Sequence, residues 1–428
     1  MRVEVENLSE VEKILKVEVP EEVVQSAIKE VTNELKRKAK VKGFREGKVP
    51  EYLVKKLFKE EIEGKAIDKL IEKTLYEAIK EAKLEPLLRP RVEELGELKE
   101  GEKFQYSVLV EIRPEFELKK EDYLGLEVEK EKDEVKDEEV EKLLDELRYS
   151  FAHLKKIENE EPIIERDVAV ISFEAYDENG LIPGHQAEAL FVDVGTGEFN
   201  REVEEALLGK KVGDKFSVEV EYPAEGLNPL LAGKKVKYEI EVKEIYRREL
   251  QELTDEFVKS LNMGFETVEA LREAVRKRLL EEKKRKNENA VKEIVLGKIL
   301  EKVDIKVPTR YVELKLYQLI EQIKESLERD GFSFETLNIS IEKLKEKLQP
   351  IAERQAKEEL LLEKIAEIEN IEIPQEEIDK TVEAISQGLK ISIEEARNIV
   401  FFNILPKKLA EKTLNFLIEN AKVIEKER

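Results

Sequence analysis

Lys42-Gly43-Phe44-Arg45-Glu46-Gly47-Lys48-Val49-Pro50 decides how the first quarter of this 428-residue chain folds. Two glycines bracket an aromatic and an arginine, so the backbone can turn tightly while Phe44 and Arg45 are pushed outward. Helical periodicity on both sides, over residues 21–41 and 51–84, predicts two helices running back alongside one another with this stretch as the tip. Pro50 suits the first turn of the second helix.

Charge sets the tip apart from an ordinary turn. From Lys36 to Lys48 there are seven basic residues (Lys36, Arg37, Lys38, Lys40, Lys42, Arg45, Lys48) and one acidic residue, Glu46, a local balance of +6. The whole chain carries 76 basic and 99 acidic residues, a net charge of −23. A basic tip on an acidic body suits docking on a phosphate-rich or acidic surface, with the body held off by repulsion. Taken alone, the basic run also fits a solvated helix end.

The order and spacing Gly-Phe-Arg-x-Gly-Lys-x-Pro, from Gly43 to Pro50, resembles the ribosome-docking signature of the bacterial trigger factor family, and the likeness continues through the whole chain. The resemblance implies that Gly43, Phe44, Arg45, Glu46, Gly47 and Lys48 meet the large ribosomal subunit, its protein and RNA near the exit tunnel. The chain departs from the family at Glu46, where a basic residue is common; the acid is expected to weaken the contact.

Length predicts roughly two to four domains. Apolar residues make up 41% of the chain, enough for cores, and charged residues another 41%, against about 25% in a typical soluble domain. With no Cys, no Trp and abundant Lys and Glu, the composition resembles that of thermophile proteins, and a heat-stable fold is expected. Lack of Cys excludes disulfides and thiol chemistry. Two histidines, His153 in a helical pattern and His185 in a Gly-containing loop, are too few and too far apart for a zinc site or a histidine-based triad, and no metal is expected. The amino terminus lacks an apolar signal core, and no run approaches the ~18 apolar residues of a membrane span, so a cytoplasmic protein without membrane partners is expected.

In chain order, residues 3–19 read as strand, turn and strand, Pro20 opens the first helix, and residues 104–110 return to strand, making residues 1–113 an α+β domain. By resemblance this is the ribosome-binding domain. Residues 114–161 are a charged linker in which Val140, Leu143, Leu144 and Leu147 recur at helical spacing, an apolar face expected to pack on the C-terminal domain.

Residues 162–246 turn β-rich, with strands at 168–173, 216–220 and 236–242, a turn at 177–180 and one short helix at 202–208 ended by Gly209. A sheet around one short helix, with Leu207-Leu208-Gly209-Lys210-Lys211-Val212-Gly213-Asp214 and Tyr222-Pro223, resembles the FKBP-type prolyl isomerases. Rotation about the prolyl amide faces a barrier of about 18–20 kcal/mol from resonance, so an apolar, aromatic pocket favouring the twisted amide can catalyse it without a nucleophile. By resemblance the pocket candidates are Phe173, Leu190, Phe191, Val203, Leu231 and Tyr238. The family's Ile-Pro-Gly-aromatic floor matches Asn200-Arg201-Glu202-Val203, without its aromatic, and a family tyrosine after Tyr222-Pro223 falls at Gly226, so weak turnover is expected. Each candidate also fits an ordinary strand core residue.

Residues 247–428 are almost wholly helical in pattern, beginning with Thr254 as N-cap and a charged helix over 268–303. Breaks ending at Pro308 and Pro374 separate it from helices at 310–329, 341–368, 375–389, 393–402 and 407–421. Leu314, Leu316, Leu319, Ile320 and Ile323 cover more than one stripe; some are expected in the core, others facing a cavity as client contacts rimmed by charge.

No phosphate-binding loop is present, and Gly195-Thr196-Gly197 reads as a hairpin turn, so no nucleotide or other cofactor is expected. The sequence thus predicts a multidomain α+β chain: an N-terminal α+β ribosome-binding domain, an FKBP-like β-sheet domain with one short helix, and an all-α C-terminal domain with helical arms (residues 247–428). The function implied is an ATP-independent chaperone for unfolded or nascent polypeptides. Two rivals are a dedicated prolyl isomerase and an assembly factor binding folded basic ribosomal proteins, which suit a body of −23.

Overall fold

The computed structural model describes residues 1–42, 44–45, 48–158 and 160–426. The chain divides into two compact units, one made of residues 1–124, 296–318 and 349–419, the other of residues 125–295, 319–348 and 420–428.

In the first unit, strands β1 (Arg2–Asn7) and β2 (Glu12–Val19) lead into helices α1 (Glu21–Lys38), α2 (Glu51–Leu57) and α3 (Lys59–Glu81), then β3 (Arg91–Leu95) and β4 (Phe104–Glu111). The strands form one antiparallel sheet in the order β1-β2-β4-β3. Alternation in β2 turns Leu15, Val17 and Val19 to one face, where Val24, Ile28 and Val31 of α1 and Ile62, Ala66 and Leu70 of α3 cover them. The Thr74 and Tyr106 hydroxyls pair at 2.7 Å inside this core. Gly96 is required at the β3–β4 junction, because a Cβ there would sit 2.7 Å from the Gln105 carbonyl oxygen.

Two expectations are corrected here. The first helix stops at Lys38, because Ala39 turns extended (ψ 125°) and is itself buried. The helix expected over 51–84 is two helices parted at Phe58, whose backbone (φ −119°, ψ 29°) leaves the helical region as its ring packs on the core.

In the second unit, α4 (Lys120–Tyr123) having closed the first unit's N-terminal part, β5 (Glu127–Glu131) and α5 (Asp137–Ser150) precede β6 (His153–Lys156), β7 (Val168–Asp177), β8 (Gly180–Asp193), α6 (Arg201–Leu207), β9 (Lys215–Glu221) and β10 (Lys235–Glu249). The fifteen-residue β10 is the axis: β7 pairs along one edge, and β9 and β6 share the other. The sheet wraps α6, which buries Val203 and Leu207 against Ile171, Ile240 and Val242. His153 lies on β6 and His185 on β8, not in the helix and loop expected: β6 is set by pairing with the distant β10, and β8 by the hairpin it forms with β7.

Helices α7 (Asp255–Ser260) and α8 (Val268–Leu300) follow, α7 capped by the Thr254 hydroxyl, which accepts from the Phe257 N–H at 3.2 Å. Val140 and Leu144 of α5 are buried with Phe257, Val258, Leu261 and Leu271, and Leu147 packs on the same cluster. Then come α9 (Thr309–Arg329), α10 (Ile341–Glu369), α11 (Gln375–Leu389), α12 (Ile393–Ile399), a π-helical turn Val400–Ile404, α13 (Leu405–Glu419) and β11 (Lys422–Lys426). β11 pairs in parallel with β5. Residues 393–419 are therefore continuous, not broken before 407: Pro406 lies inside the run, two residues past the π turn, where the widened winding already departs from the α-helical bond pattern.

Candidate functional site

The tip between α1 and α2 grows out of its flanks. Lys36, Arg37 and Lys38 occupy the last turn of α1, favoured there by the helix dipole, and Val49 and Val54 anchor the return in the core. Two short turns shape the described part, Phe44 N–H to the Val41 carbonyl at 3.0 Å and Lys48 N–H to that of Arg45 at 2.9 Å. The Phe44 ring is 43% exposed, and Arg45, Lys40, Lys42 and Lys48 are exposed. Lys55 and Lys69 nearby are held by Glu100 and Glu34, whereas the basic side chains from Lys36 to Lys48 form no close ion pair with a carboxylate among the described residues. Gly43, Glu46 and Gly47 of the expected docking set lie outside the described residues. An exposed ring among unpaired cations can meet an apolar pocket and a phosphate or carboxylate surface together.

In the β-rich domain, Phe173 on β7, Tyr238 on β10 and Phe199 ahead of α6 form an aromatic trio. Ring centroids are 5.2 Å apart for Phe173 and Phe199, and 6.0 Å apart for Tyr238 with each of the other two. Phe199 is held there by a carboxylate: buried Glu204 accepts from the backbone N–H groups of Gly195 (3.0 Å), Gly197 (2.7 Å) and Phe199 (3.1 Å). Asn200 caps α6 by accepting from Val203 N–H at 3.1 Å. Gly195-Thr196-Gly197 is thus a strand-to-helix connection wrapped on Glu204, not a hairpin. The Tyr238 hydroxyl meets that of Tyr222 at 2.7 Å, and burial, reinforced by this bond, pushes the Tyr238 phenol well above its ordinary value, keeping it neutral.

Of the candidates read from sequence, Phe173, Val203 and Tyr238 come together, and Leu231 and Leu190 pack on the same cluster. Neighbours on a strand face opposite ways, so Phe191 points away from Leu190 and is 66% exposed. Phe199 and Tyr222, which the sequence reading did not single out as pocket candidates, join the same cluster. Phe199 stands one position before the run aligned with the family's floor, and the Asn200 cap was the signal for where α6 begins.

On the arms, Leu314 is exposed and Leu319 and Ile323 are half-buried. Leu316 and Ile320 are buried and are corrected as open client contacts: with Val312 they recur every four residues and form one covered stripe. Exposed apolar side chains that sequence spacing did not single out are Tyr317, Phe332, Ile341, and the ring pair Phe401 and Phe402 on the π turn, 6.5 Å apart. Among the described residues no cluster of His, Cys, Asp and Glu could hold a metal, and no helix is long and apolar enough to cross a membrane.

Comparison with known proteins identifies the family of the chain. Residues 1–147 match the family model described as bacterial trigger factor protein, and residues 267–426 match that of the bacterial trigger factor C-terminus. A trigger factor of Maridesulfovibrio salexigens is 32% identical over 98% of this chain and 97% of its own, and one of Moorella thermoacetica is 32% identical over 99% and 96%. A solved structure from work on promiscuous substrate recognition in folding and assembly activities of the trigger factor chaperone aligns over 98% of this chain and 99% of its own, at 26% identity and a TM-score of 0.45. Full-length similarity at this level makes the chain a member of the bacterial trigger factor family.

Proposed function

We propose that this protein is a ribosome-associated, ATP-independent chaperone that meets nascent chains at the exit of the large subunit. The observation that carries the reading is the tip, where exposed Phe44 and Arg45 stand among cations that form no close ion pair with a described carboxylate. Ribosomal RNA offers phosphate to the cations and ribosomal protein offers apolar surface to the exposed ring, so both halves of the tip have a partner there. Exposed apolar side chains on the arms, set in a highly charged surface, supply weak and distributed contacts for an unfolded chain. Release then follows as the client buries its own apolar groups, with no nucleotide needed.

The aromatic trio supports a second, lesser activity, prolyl isomerisation. Phe173, Phe199 and Tyr238 offer ring faces for a prolyl ring, and Tyr238 brings a neutral hydroxyl. The floor remains smaller than the family pattern, with Val203 where an aromatic is common, and turnover on short peptides is weak.

Co-sedimentation with ribosomes across a salt series tests the main reading, using the intact chain and a Phe44→Ala, Arg45→Ala double variant. The intact chain should pellet with large subunits and the variant should not; equal pelleting of both, or of neither, overturns the docking role.

A further inference from the structure

Residues 330–340 join α9 to α10 as a compact arm tip. Gly331 (φ 82°) and Asn338 (φ 50°) supply its left-handed positions, and Ser333 and Thr336 each accept at the hydroxyl from the other's backbone N–H. Phe334 is buried beneath it, while Phe332 and Ile341 are exposed. At its α10 end the tip touches the β-rich domain. Ser340 N–H donates to the Leu227 carbonyl at 2.9 Å, and the Lys343 ammonium donates to the carbonyls of Ala224 at 3.1 Å and Gly226 at 3.3 Å.

Those three carbonyls belong to the connection between β9 and β10. This connection begins at Tyr222, whose hydroxyl meets Tyr238, and carries Leu231, which packs on the cluster around the aromatic trio. Its own bonds, Gly226 N–H to Pro223 and Leu231 N–H to Asn228, make local turns. One end of the connection therefore borders the aromatic trio while its outer backbone carries the arm tip.

We propose that the arm tip is a latch on the wall of the isomerase-like pocket, holding residues 224–231 in place and freeing them when the tip is drawn away. The proposal rests on reading the aromatic trio as a prolyl pocket. Its chemistry suits a switch. Carbonyls released from Ser340 and Lys343 find water instead, so the contact contributes only modestly, about fivefold in an equilibrium, and is readily reversed. Coupling of this kind runs both ways: an unfolded segment spread over Phe332 and Ile341 competes with docking and loosens the wall, and a ligand that orders the wall favours docking.

Amide hydrogen exchange in the full chain, comparing Lys343→Ala and Lys343→Glu with the native residue, tests the latch without relying on turnover. Exchange at Gly226, Leu231 and Ala232 should rise about threefold to tenfold, more for Lys343→Glu, which sets a negative group against carbonyl oxygens. Amides of β7 and β10 should be unchanged, showing an intact fold, and Lys343→Arg should keep the wall slow. Unchanged exchange over 224–232 in both variants overturns the proposal. Binding of a proline peptide, measured on the same variants, tests the pocket separately: a loosened wall with no peptide binding to any variant supports the latch and rejects the pocket.

Discussion

The hydroxyl oxygens of Tyr222 and Tyr238 lie 2.7 Å apart, joining the connection after β9 to the floor of the aromatic trio. Tyr238 is almost wholly buried and Tyr222 half-buried, so removing the Tyr238 hydroxyl leaves Tyr222 to find water at the rim. Tyr238→Phe should cost about 1 kcal/mol, and the Tyr222→Phe, Tyr238→Phe double variant should cost less than the two single changes together. A thermal or urea double-mutant cycle checks this; strict additivity would mean that the two hydroxyls do not interact.

Phe173→Ala removes one ring of the trio and is a cleaner functional test. It should abolish the weak prolyl turnover in a proline-limited peptide assay while leaving suppression of client aggregation within about twofold, since distributed apolar contacts tolerate the loss of one. Loss of both activities together would make the pocket the main client site.

How much of this was legible in the sequence depended on how local each cause is. That helices flank residues 42–50 was readable because apolar spacing and proline act within a few residues, but the early stop at Lys38 and the break at Phe58 were not, since packing on the core sets both. The β5–β11 pair was not, since Glu127–Glu131 and Lys422–Lys426 are both Glu- and Lys-rich and neither shows its partner. Phe199 was hidden for a related reason: its place depends on Glu204 gathering three backbone N–H groups, and a carboxylate among so many carries no visible mark. In the helical part the gap expected between 402 and 407 does not exist, because the π turn Val400–Ile404 carries the helix through to Pro406 and beyond, whereas the helix expected over 341–368 does run past Pro350 as α10.

Glu204 gives a direct test of that hidden support. Its Oε2 serves Gly195 and Gly197 and its Oε1 serves Phe199, so Glu204→Gln puts an NH2 where one oxygen must accept. A loss of about 1–3 kcal/mol is expected, with faster amide exchange at Gly195, Gly197 and Phe199. Glu204→Ala should be worse by a similar amount, because all three donors lose their partner.

Glu111 at the end of β4 should show itself through pH. Its side chain is fully buried, Arg310 Nη1 donates to Oε2 at 2.6 Å, and Oε1 has no partner among the described residues. Burial outweighs the guanidinium and raises the carboxyl above its ordinary value of 4.5. A raised acid holds its proton to higher pH folded than unfolded, so its contribution is most favourable below about 4.5 and declines as pH rises through the raised value. The stability of Glu111→Gln relative to the native chain should therefore improve with rising pH across that window. Arg310→Ala should cost about 3 kcal/mol at neutral pH, where it strands a buried carboxylate, and less in acid. Unfolding curves from pH 4 to 7 check both signs.

The last test turns on Glu46, the one acid in the basic run from Lys36 to Lys48. Glu46→Lys changes the local balance from +6 to +8 and adds a cation where the partner's phosphates are expected. If the tip docks on RNA, each added phosphate contact steepens the dependence of log affinity on log salt by somewhat under one unit. Ribosome affinity should then rise about threefold to tenfold at low salt and converge with that of the native chain as salt increases. A gain that is independent of salt would instead place position 46 against an acidic group shielded from solvent on ribosomal protein. No gain at any salt would mean that Phe44 and Arg45 make the contact without help from the surrounding charge. Sedimentation binding curves at four or more salt concentrations separate the three outcomes.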